Sequence, residues 1–172
     1  MGIDTAFFQT EVVLGATKNV KNANKKITTR YLANHKKYKA ADSDPAHYKD
    51  WTVQETEGDI EEGDTISLII DHRAHRGSAA DFVPNLLLLL EAAKHYGFEP
   101  FNRSLPYFTS WGDALSGVLR VSNEFSVTLT EVLDDGTVEQ EVYTLDDVDA
   151  VTSGQFDKLD RRVVLYTPPR TK

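Results

Sequence analysis

The residues best suited to chemistry in this chain are basic and lie close together near its start. Eight basic residues and no acidic residue occur between Val12 and Ala41, although the 172-residue chain carries a formal charge of -8. Positive charges interleaved with aromatic rings can neutralise phosphates and stack on bases. The segment therefore predicts a polyanion-binding surface, with these candidate residues: Lys18, Lys21, Lys25, Lys26, Arg30, Tyr31, Lys36, Lys37 and Lys39.

The composition of this basic segment limits what it could recognise. Seven of its basic residues are lysines and one is arginine. Because arginine is favoured for bidentate phosphate and base contacts, binding should be non-specific and sensitive to salt. Two other interpretations are left open: the segment is a solvated hairpin that maintains solubility, or it folds onto the acidic surface of the same protein.

A second candidate site is the segment Asp71–Ser78, predicted to be a turn between a strand and a helix. Backbone N–H groups and the helix dipole favour an anion at such a turn. Arg73, Arg76 and Ser78 are the candidate anion-binding residues. The competing interpretation is that Asp71 pairs with an arginine and the segment is only a connection. The charge pattern of the chain predicts a non-enzymatic binding or interaction module that acts on a macromolecular partner through segregated charged surfaces. An enzyme or small-anion binder that uses the turn at 71–78 is the alternative.

The acidic residues form a block of their own between Val121 and Phe156, where nine acidic residues occur without Lys or Arg. Such a surface could dock on a basic partner, and two copies could associate through opposite charges. The block's residues are Glu124, Glu131, Asp134, Asp135, Glu139, Glu141, Asp146, Asp147 and Asp149. We expect a protein or polyanion partner, and a homo-oligomer is left open.

Composition and motifs narrow the remaining classes of function. Without cysteine, the chain can form neither disulfides nor thiolate metal sites. No phosphate-binding glycine loop or nucleophile elbow occurs, so we predict no catalytic residue, no metal and no cofactor. No apolar run reaches the length of a membrane span, which predicts a cytoplasmic protein without a membrane partner.

The element that must position these residues is an apolar helix over Asp81–Tyr96. Asp81 can cap it, Pro84 falls in its first turn and Gly97 follows its last turn. Its apolar residues cover most of the circumference, so sheets from both halves of the chain should pack on it.

Around this helix we predict strands over Phe7–Leu14, Lys26–Leu32, Trp51–Glu57 and Thr65–Asp71. Ala33–Lys49 should be a long loop or an ordered excursion, and Phe98–Phe108 an irregular connection. The C-terminal strands are predicted at Gly117–Val121, Phe125–Leu133, Val138–Leu145, Val148–Val151 and Arg161–Tyr166. Asp134-Asp135-Gly136 should form a tight hairpin turn. The fold class is α+β: mostly antiparallel sheet on one central apolar helix, with a C-terminal small barrel or strongly curved sheet. Residues 1–110 and 111–167 should be two regions that share a core.

Part of the C-terminal third resembles the Sm-like small β-barrels. Ser116–Glu131 is similar to the second and third strands of that family, and Asp134–Gly136 with Tyr143–Val151 is similar to the fourth and fifth. The resemblance implies a barrel of short bent strands. Family members often bind RNA through an Asn and a basic residue in two loops. Asn123 stands in the first such loop, whereas Asp146–Gly154 carries acidic residues and no basic one.

Overall fold

The computed structural model describes residues 5–41, 59–75, 83–108, 114–153 and 161–169. Within these ranges the first sheet contains β1 (Thr5–Ala16), β2 (Thr65–His75) and β3 (Phe98–Pro100). The second contains β4 (Arg103–Phe108), β5 (Ala114–Val121), β6 (Val127–Leu133), β7 (Val138–Tyr143) and β8 (Arg162–Tyr166). The helices are α1 (Ala23–Ala41), α2 (Val83–His95) and α3 (Val148–Thr152), and a 3₁₀ turn over Leu145–Asp147 precedes α3. The strand pairs are antiparallel, which confirms the α+β class.

Helix α2 forms the centre of the fold, as its sequence predicts. Its five consecutive leucines, Leu86–Leu90, are all at most 2% exposed. A helix that is apolar around most of its circumference must be covered on more than one side. Helices α1 and α3 contact it, as do β3 from the first sheet and β6 from the second. Gly97 ends the helix with a φ of 86°, a left-handed conformation that a side chain would strain.

The first sheet has the order β2-β1-β3. The strands predicted at Phe7–Leu14 and Thr65–Asp71 are confirmed, and both extend further than predicted. Their register pairs Leu14 with Ile66 and Thr5 with His75. Because β2 continues to His75, the prediction that the chain already turns at Asp71 is wrong.

The predicted strand over Lys26–Leu32 is wrong, because α1 occupies that segment. The predicted loop from Ala33 is also wrong as far as Ala41. Ala23, Ile27 and Tyr31 recur at helical spacing and are at most 1% exposed. Burial of this stripe against the core overrides the β preference of the segment's Thr, Ile and Tyr residues. The predicted strand over Trp51–Glu57 lies outside the described residues, as does the proposed cap Asp81.

The segment Phe98–Phe108 contains two strands and is not the irregular connection that its prolines suggested. β3 pairs with β1, and Phe98 is 1% exposed. β4 pairs with β5, and Pro106 lies opposite Val118. Proline is tolerated on β4 because this strand is at the edge of its sheet, where one side needs no ladder hydrogen bonds.

The second sheet is an open meander with the order β4-β5-β6-β7-β8. The strands predicted at Gly117–Val121, Phe125–Leu133, Val138–Leu145 and Arg161–Tyr166 are present with shifted ends, and no closed barrel forms within the described ranges. Gly136 has a φ of 89° in the predicted hairpin turn. The predicted strand over Val148–Val151 is wrong, because α3 forms there. A capping box, in which the side chains of Thr144 and Asp147 each bond the other's backbone N–H, starts the preceding 3₁₀ turn and commits the chain to helix.

The two sheets share one core. A single cluster of buried residues includes Val12 and Leu14 from the first sheet and Leu119 and Leu129 from the second. The second sheet begins with β4, before the expected division at residue 110.

The central position of α2 predicts that two leucine-to-alanine substitutions lower the free energy of unfolding by unequal amounts. Leu88→Ala should lower the free energy of unfolding by about 2–5 kcal/mol, because Leu88 is fully buried. Leu32→Ala, on the exposed side of α1 at 46% exposure, should change it by less than about 0.5 kcal/mol. Chemical denaturation followed by circular dichroism measures both. Equal losses would contradict the central role of α2.

The hydrogen bonds of the β6–β7 turn predict a lowered pKa for the carboxyl group of Asp135. The hydroxyl and backbone N–H of Thr137 both hydrogen bond Asp135 and lower its pKa. Thr137→Val should return that pKa toward its ordinary value, as NMR-detected pH titration would show. Because the folded pKa is lowered, the stabilisation exists above the unfolded pKa of about 3.9 and is lost as pH falls through the folded value. Identical titrations in both proteins would exclude the hydroxyl as a cause.

Candidate functional site

The candidate site is the outward side of α1, and its orientation is fixed by the opposite side. Ala23, Ile27 and Tyr31 are buried and hold one stripe of the helix against the core. Because residues three and four apart share a helix face, the intervening positions turn toward solvent. The lysines of α1 with described side chains occupy these solvent positions.

Four of these lysines form two exposed pairs, Lys25-Lys26 and Lys36-Lys37. The pairs are eleven residues apart in sequence, which is about three helical turns and about 16 Å along the axis. Each lysine of the first pair therefore shares a face with its counterpart in the second. Lys21, just before α1, is also exposed. We call these four paired lysines the lysine face.

Within the described ranges, no lysine of the lysine face forms an ion pair with a carboxylate. The ion pairs formed there involve Arg30, Arg103, Arg161 and Arg162. The alternative in which the lysines fold onto the protein's own acidic surface is therefore not what the described residues show. Lys18 lies elsewhere, and its aliphatic stem packs beside Gly97. Lys39 belongs to α1, but its side chain is outside the description.

Arg30 differs from the lysines because it holds α1 against α2. Its Nη2 lies 2.6 Å from Glu91 Oε1, and its Nε is 3.0 and 3.1 Å from the two carboxylate oxygens. Asn34 Nδ2 also donates to Glu91 Oε2 at 2.8 Å. The hydrogen bond to Glu91 raises the pKa of Arg30. Arg30 is thus committed to an intramolecular contact, and sequence reasoning missed Glu91 because the two residues are far apart in the chain.

Tyr31 does not lie on the binding surface that the sequence suggested. It is fully buried in the core, and burial raises its pKa. A ring inside the core cannot stack on a base in solution, so the role expected for Tyr31 is wrong. Helix α1 therefore buries Tyr31 on its inner side and exposes the paired lysines on its outer side.

The described residues include only the first part of the proposed anion site at Asp71–Ser78. Arg73 lies within β2, opposite Phe7 of β1. Arg76 and Ser78 are outside the described residues. A turn that would bring all three together is not present in the described part of the segment, and anion binding there stays a prediction.

The acidic block is partly neutralised by two arginines that follow it. Asp147, only 4% exposed, accepts a hydrogen bond from Arg161 Nη2 at 2.6 Å. Arg162 Nε lies 3.3 Å from Glu139 Oε2 and 3.3 Å from Glu141 Oε1. The exposed acidic residues are Glu124, Asp134, Asp135, Asp146 and Asp149. Three of the nine acidic residues are therefore paired with arginines, which the sequence pattern concealed because the arginines lie beyond the block.

None of the helices in the described ranges has both the length and the apolar character needed to cross a membrane. The described side chains form no group of three or more metal-ligating residues. Searches of protein families, curated proteins and solved structures gave no match to this chain.

The Arg30–Glu91 contact predicts a measurable coupling between α1 and α2. A double-mutant cycle with Arg30→Met and Glu91→Gln should give a coupling energy of about 1 kcal/mol, because the pair is multiply hydrogen bonded and half-buried. Arg103 and Glu11 are the matched control, since they make one contact at 3.4 Å with both side chains 38% exposed. Their coupling should be below about 0.5 kcal/mol. Equal coupling in both cycles would contradict the proposed role of Arg30.

Proposed function

We propose that this protein is a non-enzymatic binding module that contacts a polyanionic macromolecule through the lysine face of α1. The partner class that we argue is the phosphate backbone of nucleic acid. The observation that carries the proposal is the position of two exposed lysine pairs on one side of a helix whose other side is fixed in the core. Among the described residues, none of these four lysines has an ion-pair partner.

The helical arrangement supports this proposal more strongly than the charge count does. Lysines in a flexible segment can turn to any side, whereas α1 holds both pairs on the outward side over about three turns. A regular array of ammonium groups suits a regular array of phosphates. Binding would release condensed counterions from the nucleic acid, which is the main source of affinity in such contacts.

The chemistry of the lysine face favours non-specific recognition. The face carries lysine, which acts as a point charge, and the one arginine of α1 is bonded to Glu91. The ring of Tyr31 is buried and unavailable for stacking. We therefore expect affinity for the backbone without preference for base sequence.

A formal charge of -8 is compatible with this function. At physiological ionic strength, charges separated by more than about 8 Å in solvent are largely screened. The binding energy then depends on the charges next to the partner, and no acidic residue occurs within α1.

The test uses matched pairs of neutral substitutions and a short mixed-sequence DNA duplex. Lys25→Gln with Lys36→Gln should weaken binding in fluorescence anisotropy at low salt and reduce the slope of log affinity against log salt by about 2. Lys26→Gln with Lys37→Gln should do the same. Glutamine preserves helix propensity, so circular dichroism should be unchanged.

The control variant carries the same change of net charge elsewhere. Lys94→Gln with Arg120→Gln removes two exposed positive charges that are not on α1. Its affinity and salt slope should match the unmodified protein. The proposal is wrong if the duplex does not bind at low salt, or if the control weakens binding as much as the α1 variants do.

A further inference from the structure

The two pairs of the lysine face are separated by a stretch of α1 whose exposed side chains are uncharged. Among the described side chains between Lys26 and Lys36, the exposed ones are those of Thr29, Leu32 and Ala33. Arg30, in the same stretch, is bonded to Glu91 of α2. The positive charge of the lysine face is therefore concentrated at two places, with an uncharged middle between them.

The uncharged middle lies on the same side of α1 as the lysines. Residues seven positions apart in an α-helix differ by only about 20° around the axis. Leu32 therefore lies close to the line that joins Lys25 to Lys36, and Ala33 lies seven positions after Lys26. A partner that contacts both lysine pairs must pass over these two uncharged residues.

This arrangement argues against a phosphate backbone that runs along the helix. One strand of DNA carries a phosphate about every 3.4 Å of its axis. A strand laid along α1 would place several phosphates over Leu32 and Ala33. Those phosphates would lose water without gaining a positive charge or a hydrogen-bond donor, which is unfavourable. Two rows of phosphates with a gap between them fit the charge distribution better.

A groove of duplex DNA has such a gap. Its two edges are the phosphate backbones, and the space between them exposes base edges. The major groove of B-form DNA is about 12 Å wide, and the minor groove is about 6 Å wide. The two lysine pairs are about 16 Å apart along the axis of α1. Because each backbone adds its own width to the open groove, this separation matches the backbones on either side of a major groove.

We propose that α1 lies across the major groove of B-form duplex DNA, with one lysine pair on the backbone of each strand. This inference rests on the proposed function and adds which form of nucleic acid the lysine face binds. Thr29, Leu32 and Ala33 then face the open groove, where no phosphate has to be neutralised. None of these three side chains has the guanidinium or amide group that reads a base edge bidentately, so binding remains independent of sequence.

The test moves the second lysine pair along the same face without changing the charge of the protein. In the relocated variant, Leu32→Lys and Ala33→Lys add one pair, and Lys36→Gln and Lys37→Gln remove another. The spacing falls from eleven residues to seven, or from about 16 Å to about 10 Å along the axis. Both new positions are exposed, and lysine and glutamine are good helix formers, so circular dichroism should be unchanged.

Fluorescence anisotropy on the mixed-sequence duplex compares the unmodified protein, the relocated variant and a removal variant that carries only Lys36→Gln and Lys37→Gln. The relocated variant should behave like the removal variant, because its second pair no longer reaches the opposite backbone. Both should bind more weakly than the unmodified protein, with a slope of log affinity against log salt smaller by about 2. A single strand of the same sequence can bend to follow either spacing, so the relocated variant should bind it as tightly as the unmodified protein does.

The results distinguish this inference from the function on which it rests. If the unmodified protein does not bind the duplex, the proposed function is wrong and this inference is wrong with it. If the unmodified and relocated proteins bind the duplex equally, contact with nucleic acid stands, but the position across the groove is overturned. Equal losses on the duplex and on the single strand would also overturn it, because the spacing would then not distinguish the two forms of DNA.

Discussion

The burial of the leucine run of α2 is the constraint on which the rest of the structure depends. Its five consecutive leucines have no solvent-facing side, so elements from both halves of the chain must cover them. The two sheets and the other helices meet this demand around one shared core. Separate folding of the N- and C-terminal regions would leave part of α2 in water, which explains why the chain has a single core.

The lysine face follows from the same constraint. Helix α1 covers α2 by burying Ala23, Ile27 and Tyr31, and the Arg30–Glu91 contact holds the two helices together. The lysines are then left on the outer side, where ammonium groups remain hydrated. Folding thus separates Tyr31 from the lysines of the same basic segment. The outward lysines are suited to backbone phosphates, whereas the buried ring of Tyr31 takes no part in base stacking.

In the C-terminal sheet, some acidic residues are paired with arginines and others are exposed, and the two edge strands differ in composition. Arg161 and Arg162 neutralise three carboxylates of the acidic block, so those charges orient the chain as it enters β8. The remaining exposed acids lie mainly in turns. One edge strand is blocked by Pro106, whereas the other presents four apolar residues.

The sequence by itself determined the elements whose signals are local and mutually consistent. Helix α2, the strands β1 and β2, and the Asp134–Gly136 turn have patterns that only one local structure satisfies. The lysines were also recognisable from the sequence as a group. The structure, however, decided that they lie on a helix and not on a hairpin.

Tertiary contacts decided the remaining features. Thr, Ile and Tyr in α1 favour a strand locally, but burial of Ala23, Ile27 and Tyr31 against the core makes helix the stable choice. At Val148–Val151 the Thr144–Asp147 capping box prevails over β-branched residues. The partners of Arg30, Arg161 and Arg162 come from distant segments. No local pattern encodes such pairings, because the distance between two side chains is fixed only when the chain has folded around α2.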